Sequence, residues 1–242
     1  MASGGPREAV FTTVLVNQEG KIADRKLHEA RLKSHALRLR IELPEPNLSV
    51  QLSPQTKSWQ LARISYNAIL QQWDTEIRHL DFRDEAIDAI TAPAPRWNER
   101  TNGCKHGDWN AYHQARKDAM KIGCDIALLV HDYCIVDADR ATPMVLDEDG
   151  TVWVAGQDQG GVDGIVCSLL EDMLPRHGVP VVKGRLNERT IARCAELIVV
   201  GTGIGACRIN TIDGEKIGHS TMLSALCQQL LHQHFTEAET WS

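Results

Sequence analysis

Gly103-Cys104-Lys105-His106-Gly107-Asp108-Trp109 is a loop bounded by glycines that opens onto an amphipathic stretch ending near Ile122. The pattern predicts a helix capped by Asp108 and closed by Gly123 as a left-handed C-terminal residue. Most loop lysines are solvated charges, and Lys105 read alone is no more than that. Three downstream segments change that reading. Asp137 ends the strand-like run Cys134–Asp137, next to Asp139 and Arg140. Gly160-Gly161-Val162-Asp163-Gly164-Ile165-Val166 is a glycine-rich turn running into a helix predicted from about Gly164 to Arg176. Val199-Val200-Gly201-Thr202-Gly203-Ile204-Gly205 joins two strand-like runs. The set comprises one amine, one carboxylate and two backbone cradles able to hold an anion.

The bulk of the chain sets limits around these pieces. At 242 residues it can bury a substantial core, as one large domain or two small ones. A net charge of −6 with no long basic run argues against nucleic acid or an anionic membrane as main partner. Ile126–Val130 is too short an apolar run to span a bilayer, and Met1–Pro6 lacks the charged-then-apolar build of a secretory signal. The seven cysteines are odd in number and contain no Cys-x-x-Cys, which points to reduced thiols in the cytoplasm.

The periodicities describe a mixed α/β chain. Strands are expected at Ala9–Val16, Leu61–Tyr66, Ile126–His131, Cys134–Asp137, Met144–Leu146, Val152–Ala155, Val179–Lys183, Glu196–Val200 and Cys207–Thr211. Asp24 is expected to cap a helix from Arg25 to Leu39, Asn187 one reaching about Ala195, and Thr221–His234 closes the chain as a helix. The segment from Ile69 to Ile90 fits neither period cleanly. Two prolines in Ala92–Asn98 mark a linker. The expected division is therefore a small N-terminal α/β domain (1–98), a linker carrying Lys105 (99–107) and a C-terminal α/β domain (108–242).

Other chemistries fit poorly. Gly201–Ala206 follows a strand, but the residues after it are strand-like, so a dinucleotide site lacks its helix N-terminus. Two possibilities stay open there, a plain turn or an anion nest that includes the Thr202 hydroxyl. Cys104, His106 and His113 fall at no zinc spacing, and no metal is expected. Gly-x-Ser-x-Gly is absent.

The order of the pieces resembles the class IV aminotransferases, the fold-type IV group of pyridoxal phosphate (PLP) enzymes, from about Val10 to Gly218. Phe11-Thr12-Thr13 is similar to the family's early strand, and Leu27-His28-Glu29-Ala30-Arg31-Leu32 to its helix carrying a phosphate-binding arginine. The resemblance implies a two-domain fold in which Lys105 is the Schiff-base lysine. Asp137 stands where the family has the glutamate that pairs with the pyridine nitrogen, one methylene longer. Arg31, Gly164, Ile165, Val166, Thr202 and Gly203 then bind the phosphate. It also implies a homodimer and a small amino-acid-like substrate. The lead into the first strand is short, with only Gly4-Gly5-Pro6-Arg7 where the family has a longer segment. Phe11-Thr12-Thr13 looks like the aminodeoxychorismate lyase version, whereas transaminases more often carry Phe-Glu there. Amino-acid transaminase and a non-catalytic relic of the fold stay open as alternatives.

Overall fold

The computed structural model describes residues 5–46, 48–51, 58–78, 80, 82–83 and 85–242; Met1–Gly4, which include part of the short lead into the first strand, lie outside them. Two compact units divide the chain. The first comprises the described residues before position 82 with Trp97–Trp109 and His232–Ser242; the second is Phe82–Arg96 with Asn110–Leu231. One of the several places where the chain passes between the units lies inside the proline-rich stretch, between Arg96 and Trp97. Unlike the expected continuous division, each unit also takes in a segment from elsewhere in the sequence, Phe82–Arg96 in one case and His232–Ser242 in the other.

In the first unit, β1 (Ala9–Val16), β2 (Gln60–Asn67) and β3 (Gln72–Arg78) form an antiparallel sheet in that order. β3 lies in the segment whose periodicity is ambiguous. It buries none of its side chains fully, so no apolar alternation is imposed on it. Along β1, Val10, Val14 and Val16 pack with Leu32, Ala36 and Leu39 of α1 (Arg25–Leu39). Phe11, Thr13 and Leu15 alternate onto the opposite face. The helix has the expected bounds, but Asp24 does not cap it. Asp24 lies at φ 50 with no side-chain cap bond, and its carboxylate accepts from His234 Nε2 at 2.9 Å instead.

The second unit is built on a ten-stranded sheet. Its strands are β4 (Ile87–Pro93), β5 (Ile126–His131), β6 (Cys134–Ala138), β7 (Thr142–Asp147), β8 (Val152–Ala155), β9 (Val181–Gly184), β10 (Leu186–Asn187), β11 (Cys194–Gly201), β12 (Gly205–Ile212) and β13 (Glu215–Lys216). The order is β10-β6-β5-β4-β12-β11-β7-β8-β9, with β13 beside β12. Ala92 and Pro93, expected in a linker, are the end of β4, which lies parallel to both β5 and β12. Ile87, Ile126, Leu128, Val145, Leu197, Val199 and Ile209 form the core, and these strands read as near-continuous apolar runs because both faces are covered.

Four helices belong with this sheet. α2 (Asn110–Lys121) starts after Trp109, and Asp108 spends its carboxylate on Trp97 Nε1 at 3.2 Å rather than on a cap. α3 (Ile165–Met173) runs into a 3-10 turn at Leu174–His177. α4 (Glu188–Ala192) is capped as expected, Asn187 accepting from Thr190 N at 3.1 Å. α5 (Met222–Thr236) ends in the first unit. No helix among the described residues is long and apolar enough to cross a membrane.

Candidate active site

In the first unit, Lys105 is fixed to β1 through its main chain. Val10 and His106 form an isolated bridge, and Phe11 N–H donates to the Lys105 carbonyl at 3.3 Å. From the other side, the Lys105 N–H donates to His35 Nδ1 at 3.1 Å. Its ammonium lies 5.2 Å from the ring centroids of both Phe11 and Trp109, which meet edge-on at 5.1 Å. Cation and ring quadrupole attract at this range.

Arg31 reaches the same strand one residue on. Its Nη2 donates to Thr12 Oγ1 at 2.8 Å, and Thr12 Oγ1 lies 2.7 Å from His28 Nδ1. Thr12 and His28 are buried. Burial first, and then the Arg31 and Lys105 charges, push His28 well down from the usual histidine range. The same causes bring His35 down to about 3, with Arg38 and His106 adding to them. Both rings are thus neutral at physiological pH. His35 Nδ1 is the unprotonated nitrogen, since it accepts an N–H. The spacing His28, Arg31, His35 puts all three on one face of α1. That i, i+3, i+7 pattern is in the sequence, but it marks His28 and His35 only once β1 is known to lie against it.

Two further residues of this unit carry no sequence signal. His106 is fully buried, brought down to about 4 by burial, and its ring meets Trp97 edge-on at 4.4 Å. Arg63 on β2 stands opposite Thr13, on the Phe11 face, and stacks its guanidinium 3.7 Å over the Phe11 centroid. Burial, and then Arg78, bring Arg63 down to about 10. Among the described residues it has no hydrogen bond or ion pair.

In the second unit, Asp137 is buried at the end of β6 and fixed through its carboxylate. Oδ2 accepts the Tyr112 hydroxyl at 2.9 Å and the Val162 N–H at 3.1 Å; Oδ1 accepts the Ala138 N–H at 2.9 Å. The glycine-rich loop presses onto β6 to deliver the second of these. A Cβ on Gly161 would stand 2.1 Å from the Val136 carbonyl oxygen, so only glycine permits the approach. A Cβ on Gly164 would meet Thr142 Oγ1 at 2.6 Å.

Gly164 is the N-cap of α3 and contributes no side-chain cap, so the helix begins with backbone donors at Ile165 and Val166. Thr202 and Gly203 form the turn of the β11–β12 hairpin, in which Gly201 pairs with Gly205. No helix opens there, and the dinucleotide reading stays excluded. A Cβ on Gly201 would lie 3.1 Å from the Arg140 carbonyl oxygen, so this hairpin end also runs close to the β6–β7 connection.

The sequence profile of the family described as amino-transferase class IV matches residues 9–212. No curated protein matches the chain. Solved structures share its fold. A branched-chain aminotransferase from Thermoproteus uzoniensis superposes with a TM-score of 0.82 at 13% identity, covering 96% of this chain and 87% of that one. A protein assigned as a 4-amino-4-deoxychorismate lyase from Legionella pneumophila gives 0.78 at 16%, covering 94% and 91%. A PLP-bound hypothetical aminotransferase from Mycobacterium tuberculosis gives 0.80 at 17%, covering 94% and 89%.

The residues present fit such a cofactor by donor chemistry. A lysine suits its aldehyde, a guanidinium and an uncapped helix N-terminus suit its phosphate, and a buried carboxylate suits a protonated ring nitrogen. Gly161 and Gly164 stand where a Cβ would displace the loop that carries those backbone donors.

Proposed function

Because the chain belongs to the class IV aminotransferase family, and so is a PLP-dependent lyase or aminotransferase, we propose that it works as a lyase of the aminodeoxychorismate type, releasing 4-aminobenzoate and pyruvate. The observation that carries this is Thr12. Its buried hydroxyl joins Arg31 to His28, in a position where a transaminase-like glutamate would set a carboxylate against Arg31. Arg63, stacked on Phe11, supplies a half-buried cation for a substrate carboxylate.

When bound, the cofactor supplies an electron sink for the carbon next to the substrate nitrogen. Lys105 is the residue that would hold it. Arg31 with Gly164, Ile165, Val166, Thr202 and Gly203 would bind its phosphate, and Asp137 would hold its ring nitrogen in the protonated form. The Lys105 amine, once released, removes the proton from the carbon bearing the substrate nitrogen. The C–O bond to the enolpyruvyl group then breaks, the carbocycle becomes aromatic, and the departing enol takes up a proton to become pyruvate. Donor and product balance without an oxidant or a second substrate.

The deciding experiment gives the holoenzyme aminodeoxychorismate alone. Catalytic pyruvate release without any keto acid is expected. Stoichiometric conversion of the cofactor to its amine form by leucine, alanine or D-alanine, with no pyruvate from aminodeoxychorismate, would establish a transaminase instead. Borohydride trapping followed by peptide mapping should place the cofactor on Lys105, not on Lys183 or Lys216. We further propose a homodimer, which light scattering would refute by finding a 26.9 kDa holo-monomer. A cytoplasmic setting is proposed from the seven cysteines, none of them in a disulfide.

A further inference from the structure

Asp137 is shorter by one methylene than the glutamate expected at its position, and its carboxylate is held by more than its own strand. Tyr112, in the first turn of α2, is buried and donates its hydroxyl to Oδ2 at 2.9 Å. The Val162 N–H takes the same oxygen at 3.1 Å and the Ala138 N–H takes Oδ1 at 2.9 Å. The two backbone donors come with the fold and survive any side-chain change at position 112. The phenol is the one side-chain donor of the three, and it arrives from a different element. We propose that Tyr112 is a positioning residue for the cofactor's ring nitrogen: its hydroxyl fixes the rotamer of Asp137 and favours the ionised carboxylate that holds the ring N–H. This rests on the assignment of Asp137 as the ring-nitrogen partner.

The chemistry runs in one direction. A hydrogen bond donated to a carboxylate stabilises the charged form and lowers its proton affinity. Tyr112 itself remains a donor, because burial, then the Asp137 charge and the bond to it, raise its phenol well above the ordinary range, with Arg96 opposing. Asp139, close behind Asp137 in the chain, is coupled to it by charge. Burial raises it to about 7, against the pull of Arg140 and Arg116. Its charge therefore changes within the pH range of the test, and the Asp137→Asn background separates that change from the contribution of Asp137 and its donors.

The test uses holoprotein and reads cofactor retention by absorbance and by equilibrium dialysis from pH 8 to 4.5. In Tyr112→Phe, PLP affinity at neutral pH should fall about tenfold, and acid release should begin about one pH unit higher. In an Asp137→Asn background, Tyr112→Phe should add no further shift of the limb. Site-specific 2,3-difluorotyrosine at position 112, a stronger donor of the same shape, should move the limb the opposite way, and serves if the phenylalanine variant does not fold. Wild-type affinity and limb in Tyr112→Phe, or a lowered melting temperature alone, overturns the proposal. So does an unmoved limb with the fluorinated residue. Failure of the underlying assignment looks different: Asp137→Asn itself would then leave affinity and spectrum unchanged.

Discussion

Lys105 and Asp137 are held in opposite ways. The lysine is tied down by its main chain, through Phe11 N–H, His35 Nδ1 and the bridge to β1, while its ammonium lies over aromatic faces. The aspartate is tied down by its functional group, each carboxylate oxygen accepting at least one N–H or O–H. On the proposed function Lys105 leaves its bond and moves a proton, and a side chain with that task can swing on a fixed backbone without unmaking the anchor. A group whose task is to stay charged and oriented is better fixed at the charge itself. The same contrast should separate the consequences of deleting each.

Lys105→Ala should lower turnover by about a hundred- to ten-thousandfold or more while leaving thermal stability near wild type, since the backbone bonds remain. Asp137→Ala should do the reverse in stability. It leaves the buried Tyr112 hydroxyl and the half-buried Val162 N–H with a partner removed, at about 1–3 kcal/mol for the phenol and less for the amide. Urea melts of the two variants provide the check. Equal stability losses in both would break the contrast.

Gly161→Ala sharpens it. The added methyl collides with the Val136 carbonyl, so the loop must lift from β6 and take the Val162 N–H away from Asp137. A loss of about 1–3 kcal/mol is expected, with cofactor affinity falling alongside. A variant as stable as wild type with full affinity would mean that the loop approach does not matter.

Much of this is legible in the amino-acid sequence, and the reasons are physical. β1 and α1 have the expected bounds because the β-branched run Ala9–Val16 and the helix apolar spacing are each imposed by one shared core. The glycine turns stand out because each departs from its local period, whereas the roles expected of Lys105 and Asp137 come from the family resemblance and not from their own spacing. β3 is not legible, since none of its side chains is fully buried and partial packing such as Trp73 against Tyr66 imposes no strict alternation. Asp24 and Asp108 look like caps in the sequence but are not, because a side chain that can bond a helix end can equally bond His234 or Trp97, and distant partners leave no local trace. Arg63, His35 and Tyr112 escape a sequence reading for the same reason. Each matters through a residue 52, 70 or 25 positions away, respectively Phe11, Lys105 and Asp137.

Asp139 carries a smaller effect with a definite sign. Its carboxylate is buried, and that burial raises its acid range to about 7 from 3.8 against the pull of Arg140, Arg116 and the Ala127 N–H. Between those values the folded chain binds the extra proton, so stability falls as pH rises through the window and the full deficit is present at pH 8. Asp139→Asn should therefore raise stability by about 1–3 kcal/mol at pH 8 and by little at pH 4. The His234–Asp24 pair loses stability in the same direction as its histidine deprotonates, so the variant-minus-wild-type difference is the quantity to follow. A gain independent of pH would remove the titration from the account.

His35 tests the backbone anchor with the mildest change. Its ring must be unprotonated at Nδ1 to accept the Lys105 N–H, and its range is lowered to about 3 from 6.5. Here the unfolded chain binds the extra proton, so stability is complete above about pH 6.5 and is lost as pH falls toward 3. His28 and His106 are lowered too and share that acid loss. His35→Gln keeps an acceptor that cannot titrate. It should stay within about 1 kcal/mol of wild type at pH 8 and show a flatter stability curve from pH 6.5 down to 4. His35→Ala removes the acceptor and should cost about 1–3 kcal/mol at pH 8 and less as pH falls toward 3, with the Lys105 amide losing its protection from hydrogen exchange. Protection retained at that amide in His35→Ala would show that the loop holds itself. The lysine's fixed backbone would then rest on its bonds to β1 alone.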